Sequence, residues 1–505
     1  MSDHGPGASM SFITKFVVGS AAAALLVANA PASTDQDRWM SDYEALKSAL
    51  EAQYANLTWF ASPQSGVDLP ALDRATRAAL RQAKSEQEAR TALLAFQSAF
   101  HDGHFVGRAS LDPASSESPE PDMPDLKATD DAGRACVALG YAAAQVQFSL
   151  PIETLAGFSL ATDGQAQPFR TGIMTMGSHR IGVVRVESFS MDNFPSLCRV
   201  SWSAAGVNQG GDVSQSALER AVAKAWYSEL AARLRWLASQ KVEAVLVDIG
   251  GNGGGDDSGD IATRLFTDRL VKSSPLLVKK GPSAKTYLAE QMEQVDYGLS
   301  LHPDREGARL LTQARGRLAT TDAAPPPAAC SLSWVWREQR PWSPYGPCSD
   351  LVQIGSAGGP MDSLGAAVIL QPRIARRLSW AIDARDNWGA WTGPTYVFVD
   401  GRTASSAEMF AATLQNNAVA RIVGVPSAGA GCGAMGPDGK AMLPATRLTF
   451  SFPTCVRLRP DGSNEVAGVS PDILVKPTQG ESRRARAVRM FGALIADFPE
   501  QRGKR

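Results

Sequence analysis

Apolar residues recur at three- and four-residue spacing from residue 34 to about residue 100. "RWMSDYEALKSALEAQYANL" and "SEQEARTALLAFQSAF" each carry one apolar face, which predicts helices there. The pattern then breaks. Residues 109–130, "ASLDPASSESPEPDMPDLKATD", are rich in Pro, Ser and acid and read as a loop or linker. From 136 to 190 the pattern is strand-like, and "HRIGVVRVESFS" alternates as a half-buried strand does. The clearest helix is 214–240, "SQSALERAVAKAWYSELAARLRWLASQ". It runs into "VEAVLVDIGGNGGGDDSGDIATRLF", which reads as buried strand, Gly-rich turn and helix. A second strand–turn–helix unit covers 395–418, and a third strand, "ARIVGVPS", follows at once. "RLTFSFP" and "DILVKP" are later strand candidates. Strands alternating with helices predict an α/β layer structure. The Pro- and Trp-rich stretch 320–348 interrupts it as a long insertion, and no internal repeat is present.

This pattern divides the chain into a leader (1–33), an N-terminal helical domain (34–108) and a linker with a β-rich region (109–200). An α/β core (201–480, with an insertion at about 305–350) and a C-terminal helix or tail (481–505) complete it. The leader, "MSFITKFVVGSAAAALLVANAPAS", has one cation, Lys15, before an apolar run from Phe16 to Val27. "ANA" and "APA" suit signal-peptidase cleavage, and "MSDHGPGAS" ahead of it raises Met10 as the true start. The run is shorter than the ~20 residues that a spanning helix needs, so export is expected over an uncleaved anchor.

Composition adds two constraints. Lys+Arg number 50 against 51 Asp+Glu, so the basic excess of a nucleic-acid binder is missing. The six cysteines, Cys136, Cys198, Cys330, Cys348, Cys432 and Cys455, fall into three sequential pairs, a pattern that fits an exported, oxidised protein. Buried free thiols are the other reading. No cluster has zinc-like spacing, so neither metal nor cofactor is expected.

Five histidines limit the choice of a base. His4 lies in the leader, His179 in a hairpin-like "GSHRIG" and His302 in a loop, "LHPD". That leaves "HDGHFVGR" at 101–108, where an Asp-Gly turn is either a polar turn at the surface or presents His104 as a proton carrier near neutral pH. "DIGGNGGGDD" at 248–257 lacks the lysine of a phosphate loop, and its two aspartates would repel an anion. Its bare N–H groups suit an oxyanion hole, or the loop is a structural turn. In "GRTASSAEMF", Ser405 and Glu408 fit a capping box, so the segment alone is a helix cap before it is a nucleophile.

Together "VLVDIGGNGGG", "VFVDGRTASSAEMFAATLQNNAVARIVGVPSAG" and "GVSPDILV" resemble the tail-specific (C-terminal processing) and tricorn-core serine peptidase family, well over 242–476. The resemblance implies an α/β fold: a crotonase/Clp-protease-like catalytic core of βα units with an N-terminal helical domain. It places the attacking serine on Ser405 and oxyanion donors on Gly253, Gly254 and Ser406. Gly250 replaces the family's usual arginine, and Asn416 an acid often found on the nucleophile helix. The lysine of the bacterial tail-specific branch falls on Ala430, in "SAGAGCG", and Lys440 comes ten residues late. The tricorn-like branch instead uses a histidine from the N-terminal region and a glutamate before the Gly–x–x–Pro–Asp ending. Those positions are His104 and Glu465, so the resemblance implies a Ser405–His104–Glu465 triad. No PDZ-type carboxylate loop is evident in 109–190. The expectation is an exported serine peptidase acting on protein or peptide, with no nucleic-acid partner and no membrane contact beyond a possible N-terminal anchor. A non-catalytic binder of lipophilic ligands or peptides on the same fold, or an esterase using the same triad, are the alternatives.

Overall fold

The computed structural model describes residues 34–109, 126–143, 148–165, 168–206, 211–365, 369, 371–436 and 438–502. The expected leader and most of the Pro/Ser-rich linker lie outside them. The fold is mixed α/β, with a helical N-terminal region and a central mixed sheet of seven strands. In spatial order these are Ile473–Leu474, Arg421–Gly424, Thr395–Val399, Ala244–Asp248, His179–Arg185, Arg170–Met176 and Phe158–Thr162. The first five run parallel, and the last two extend the sheet antiparallel through the hairpin that holds His179.

Both faces of the sheet are covered, so its middle strands are apolar throughout rather than alternating. Ala244–Asp248 and Thr395–Val399 are buried at every position. One face packs under the helices Gln215–Ser239 and Ser406–Asn416, through Trp226, Leu230, Phe410 and Leu414. The C-terminal helix Arg483–Arg502 seals the other face with Met490, Phe491 and Leu494.

The N-terminal helices Asp35–Gln53, Leu69–Gln82 and Glu86–Ser98 form a second core with a small antiparallel sheet. In that sheet Leu448–Ser451 lies between Val106–Ala109 and Lys440–Leu443. The chain's early helices are thus packed on strands some 350 residues later, which brings "HDGH" to the core. A third sheet pairs Pro275–Lys279 with Cys455–Arg457 on one side and Leu351–Ser356 on the other. The stretch 136–190 is less uniformly extended than its pattern suggests. It opens inside a short helix, Ala132–Ala138, with Cys136 buried there beside Cys198.

Three disulfides join Cys136–Cys198, Cys330–Cys348 and Cys432–Cys455, the sequential pairing expected, and no described cysteine is free. No described helix is long and apolar enough to cross a membrane. Alkylation of protein from an exported fraction, without reductant, should leave all six cysteines unmodified and yield these three linked peptide pairs. Free thiols or other pairs in that fraction would contradict both the pairing and the oxidising compartment it implies.

Candidate active site

Two neighbouring parallel strands carry the candidate loops. Asp248 ends one and Val399 ends the next, with Asp248 in register with Phe398. Their following loops therefore emerge side by side at the carboxyl edge, where α/β folds place their sites. The loops are sewn together: Ala404 N–H donates to Asn252 O (3.0 Å), Gly251 N–H to Asp400 Oδ1 (3.0 Å) and Thr403 Oγ1 to Ile249 O (3.1 Å). Beneath them Asp248 accepts from Arg185 Nε (2.8 Å) and from Gly250 N–H (2.9 Å). Burial pushes the Asp248 carboxyl up, and Arg185 and the Gly250 N–H oppose that.

Ser405 stands between the strand and the helix Ser406–Asn416, half-buried, with φ 56° and ψ −119°. A non-glycine residue at positive φ costs about 1–3 kcal/mol and persists only where its surroundings hold it. Gly254 presses on it: a Cβ there would come within 2.7 Å of Ser405 Cβ and 2.8 Å of Ser406 N, so only glycine fits. Glu408, fully buried one turn on, supplies the hold. Its Oε2 accepts from the N–H groups of Ser405 (3.0 Å), Ala430 (2.8 Å) and Gly431 (3.2 Å). Its Oε1 accepts from Ser427 Oγ (2.5 Å) and Gly429 N–H (2.7 Å). Five donors replace the water that a buried carboxylate gives up. The expected capping pair is present, then, but the glutamate does more than cap. It binds Ser405 to the loop 427–431.

That loop holds the histidine. His104 Nδ1 lies 2.8 Å from the Ala430 carbonyl oxygen, across 326 residues of sequence. A Cβ on Gly103 would come within 2.9 Å of Ala430 Cβ, so the glycine of "DGH" permits the approach. The turn is anchored by Asp102, whose buried carboxylate accepts from Tyr54 Oη (2.8 Å), Asn56 Nδ2 (3.0 Å) and His104 N–H (2.9 Å). Burial raises the Asp102 carboxyl, and these hydrogen bonds offset part of the rise.

Glu465 enters the same cluster by another route. It is fully buried, and its Oε1 accepts from Arg457 Nε (3.1 Å) and Nη2 (2.9 Å) rather than from the imidazole. Its Oε2 has no partner among the described residues. Arg457 Nη2 also reaches Gly431 O (2.8 Å) and Ser405 O (3.4 Å). Burial alone would lower the Arg457 guanidinium, but Glu465, Glu408 and Asp257 hold it above its ordinary value. Ser405, His104 and Glu465 are therefore gathered through Glu408, Ala430 and Arg457, and the direct carboxylate–imidazole bond of the expected triad is not made.

The three oxyanion candidates differ. Gly254 N–H is already given to Asn252 Oδ1 (2.8 Å), whereas Gly253 is exposed and its N–H has no partner among the described residues. Ser406 N–H opens a helix, where the first N–H groups have no intrahelical acceptor. Lys440 is exposed on an edge strand of the small sheet. His101 and His302 are exposed, and His179 faces Glu243 (3.1 Å). Among the described residues no group of His, Cys, Asp or Glu has a metal-holding arrangement.

A family profile, Peptidase family S41, matches residues 180–475, more than half of the chain and the whole serine-bearing edge. The chain belongs to Peptidase family S41. It is accordingly a serine-type peptidase, and its substrates are proteins or peptides. No characterised protein matches it by sequence. Among solved structures it is similar to mature CPAF in complex with lactacystin, at 14% identity over 93% of this chain and 100% of that one, TM-score 0.53. Mature CPAF alone gives 14% identity over 93% and 99%, TM-score 0.52. A putative peptidase from Parabacteroides merdae ATCC 43184 is looser, at 13% identity over 91% and 96%, TM-score 0.46. The CPAF likenesses show a shared fold across almost the full length of both chains.

Replacing Glu408 tests the S41 site as built. Glu408→Gln keeps the size but turns two donors against N–H groups. It should cost about 3 kcal/mol in urea unfolding and lower kcat/KM about 100-fold by letting the 427–431 loop drift. A loss under about 1 kcal/mol with unchanged kcat/KM would contradict the role given to this carboxylate.

Proposed function

We propose that this chain is an exported serine peptidase in which Ser405 attacks the substrate carbonyl and His104 is the general base. The observation that carries the reading is the link from Ser405 through Glu408 to Ala430, whose carbonyl takes His104 Nδ1. An imidazole that donates from Nδ1 keeps its lone pair on Nε2, the form a general base needs. Ser405 Oγ passes its proton to His104 Nε2 as it attacks, and the developing oxyanion takes the N–H groups of Gly253 and Ser406. His104 returns the proton to the leaving amine. Water then releases the acyl group from Ser405 with His104 again as base. Gly254 serves by close packing, its N–H being committed to Asn252.

Two cavities reach segments next to this centre. One cavity of about 1130 Å³ reaches Ser190 and Asp256 beside the Gly-rich loop. Another of about 1080 Å³ reaches Met435, two residues past Gly433, where an added Cβ would lie 3.7 Å from His104 Nε2. Export rests on the leader-like N-terminus and on three disulfides, which persist in oxidising compartments.

A fluorophosphonate probe should label the wild-type protein at Ser405, fail on Ser405→Ala and label His104→Ala at least about 100-fold more slowly. Equal labelling of all three would reject the assignment, and no labelling of the wild type would favour a non-catalytic binder.

A further inference from the structure

Arg457 is a buried cation with no counterpart among the residues that the sequence motifs singled out. It ends the strand Cys455–Arg457, pinned by antiparallel pairing of Arg457 with Leu276 and by the disulfide from Cys455 to Cys432. Its Nη2 meets three acceptors at once: Glu465 Oε1 (2.9 Å), Gly431 O (2.8 Å) and Ser405 O (3.4 Å). The last contact bears on the reaction. The Ser405 carbonyl and the Ser406 N–H belong to one planar trans peptide and point in opposite directions. The helix holds the carbonyl through the Met409 N–H (3.0 Å), and Arg457 adds a longer, charged contact, so together they aim the N–H.

We infer that Arg457 is a positioning residue for the oxyanion hole, fixing and polarising the Ser405–Ser406 peptide beside the Met409 N–H, and that Glu465 acts through Arg457 rather than on His104. The inference rests on the reading of Ser405 as nucleophile. A guanidinium buried this deeply needs a counter-charge, and Glu465 provides it with Oε1. That leaves the second N–H of Nη2 for the two carbonyls to share. The guanidinium also draws electron density from the Ser405–Ser406 peptide, which makes the Ser406 N–H a better donor to an oxyanion. The imidazole does not require Glu465, because Ala430 O already takes Nδ1. The Gly431 carbonyl on the same Nη2 keeps the loop that presents Ala430 in step with the nucleophile.

The test is a double-mutant cycle on the full-length protein, with kcat and KM for a peptide substrate measured across pH. Arg457→Met and Glu465→Met should each lower kcat about 100-fold with KM nearly unchanged, since the hole acts on the transition state. The double variant should lose no more than either single one, because removing both partners leaves no unpaired buried charge. The acid limb of kcat/KM, which reports the imidazole, should stay where it is in Glu465→Met. Arg457→Lys keeps the charge for Glu465 but lacks the planar fork. It should fold like wild type and still lose kcat, which keeps the inference testable if a methionine variant does not fold. Multiplicative losses in the double variant, a displaced acid limb in Glu465→Met, or wild-type kcat in Arg457→Lys would each overturn it and return Glu465 to the imidazole. Wild-type protein that fails to take the fluorophosphonate probe would instead overturn the peptidase mechanism itself.

Discussion

One buried carboxylate sets the geometry of this site. Glu408 collects five donors from two segments, the Ser405 turn and the loop 427–431, and no solvent competes for them. Without it the loop would expose a row of N–H groups, and nothing would fix how far Ala430 stands from Ser405. With it, the segment whose carbonyl receives His104 and the backbone of Ser405 hang from a single pair of oxygens. The strained φ of Ser405 is held by the same contact, which ties its N–H to the first turn of the helix that follows.

The far end of the loop is held by different chemistry. Cys432 is bonded to Cys455, and two residues later Arg457 returns to Gly431 O. Ser427, at the near end, also accepts from Val469 N–H (2.6 Å), which ties in the "GVSPD" segment. A stretch of ordinary small residues is thus fixed by a carboxylate, a disulfide and a guanidinium. At the position where the resemblance puts a lysine, Ala430 meets His104 through its carbonyl, not its side chain.

Much of this was legible in the sequence. The α/β core, the strand–turn–helix units at 244–262 and 395–416, and the three cysteine pairs follow from apolar runs, Gly-rich turns and residue spacing. Those signals are local, and the core strands are buried on both faces, so their apolar runs are unbroken. From its residues alone Glu408 reads as a cap, because a capping box is also local, whereas its other four donors come from 19 to 23 residues downstream. Arg457 left no signal beyond a charge inside a short apolar strand, since its role depends on three segments meeting in space. Glu465 and His104 were singled out by motif position, and motif position does not say which atom faces which. The hydrogen bonds of Asp102 to Tyr54 and Asn56, which fix the histidine turn, lay equally out of reach.

The most direct measurement is the tautomer of His104, read from imidazole ¹⁵N shifts of histidine-labelled protein at a pH where the ring is neutral. The expected result is a proton on Nδ1, shared with the Ala430 carbonyl, and a bare Nε2 ready to accept from Ser405. A proton on Nε2, or a ring exchanging freely between the two forms, would contradict it, because the imidazole would then be neither held by Ala430 nor poised as a base.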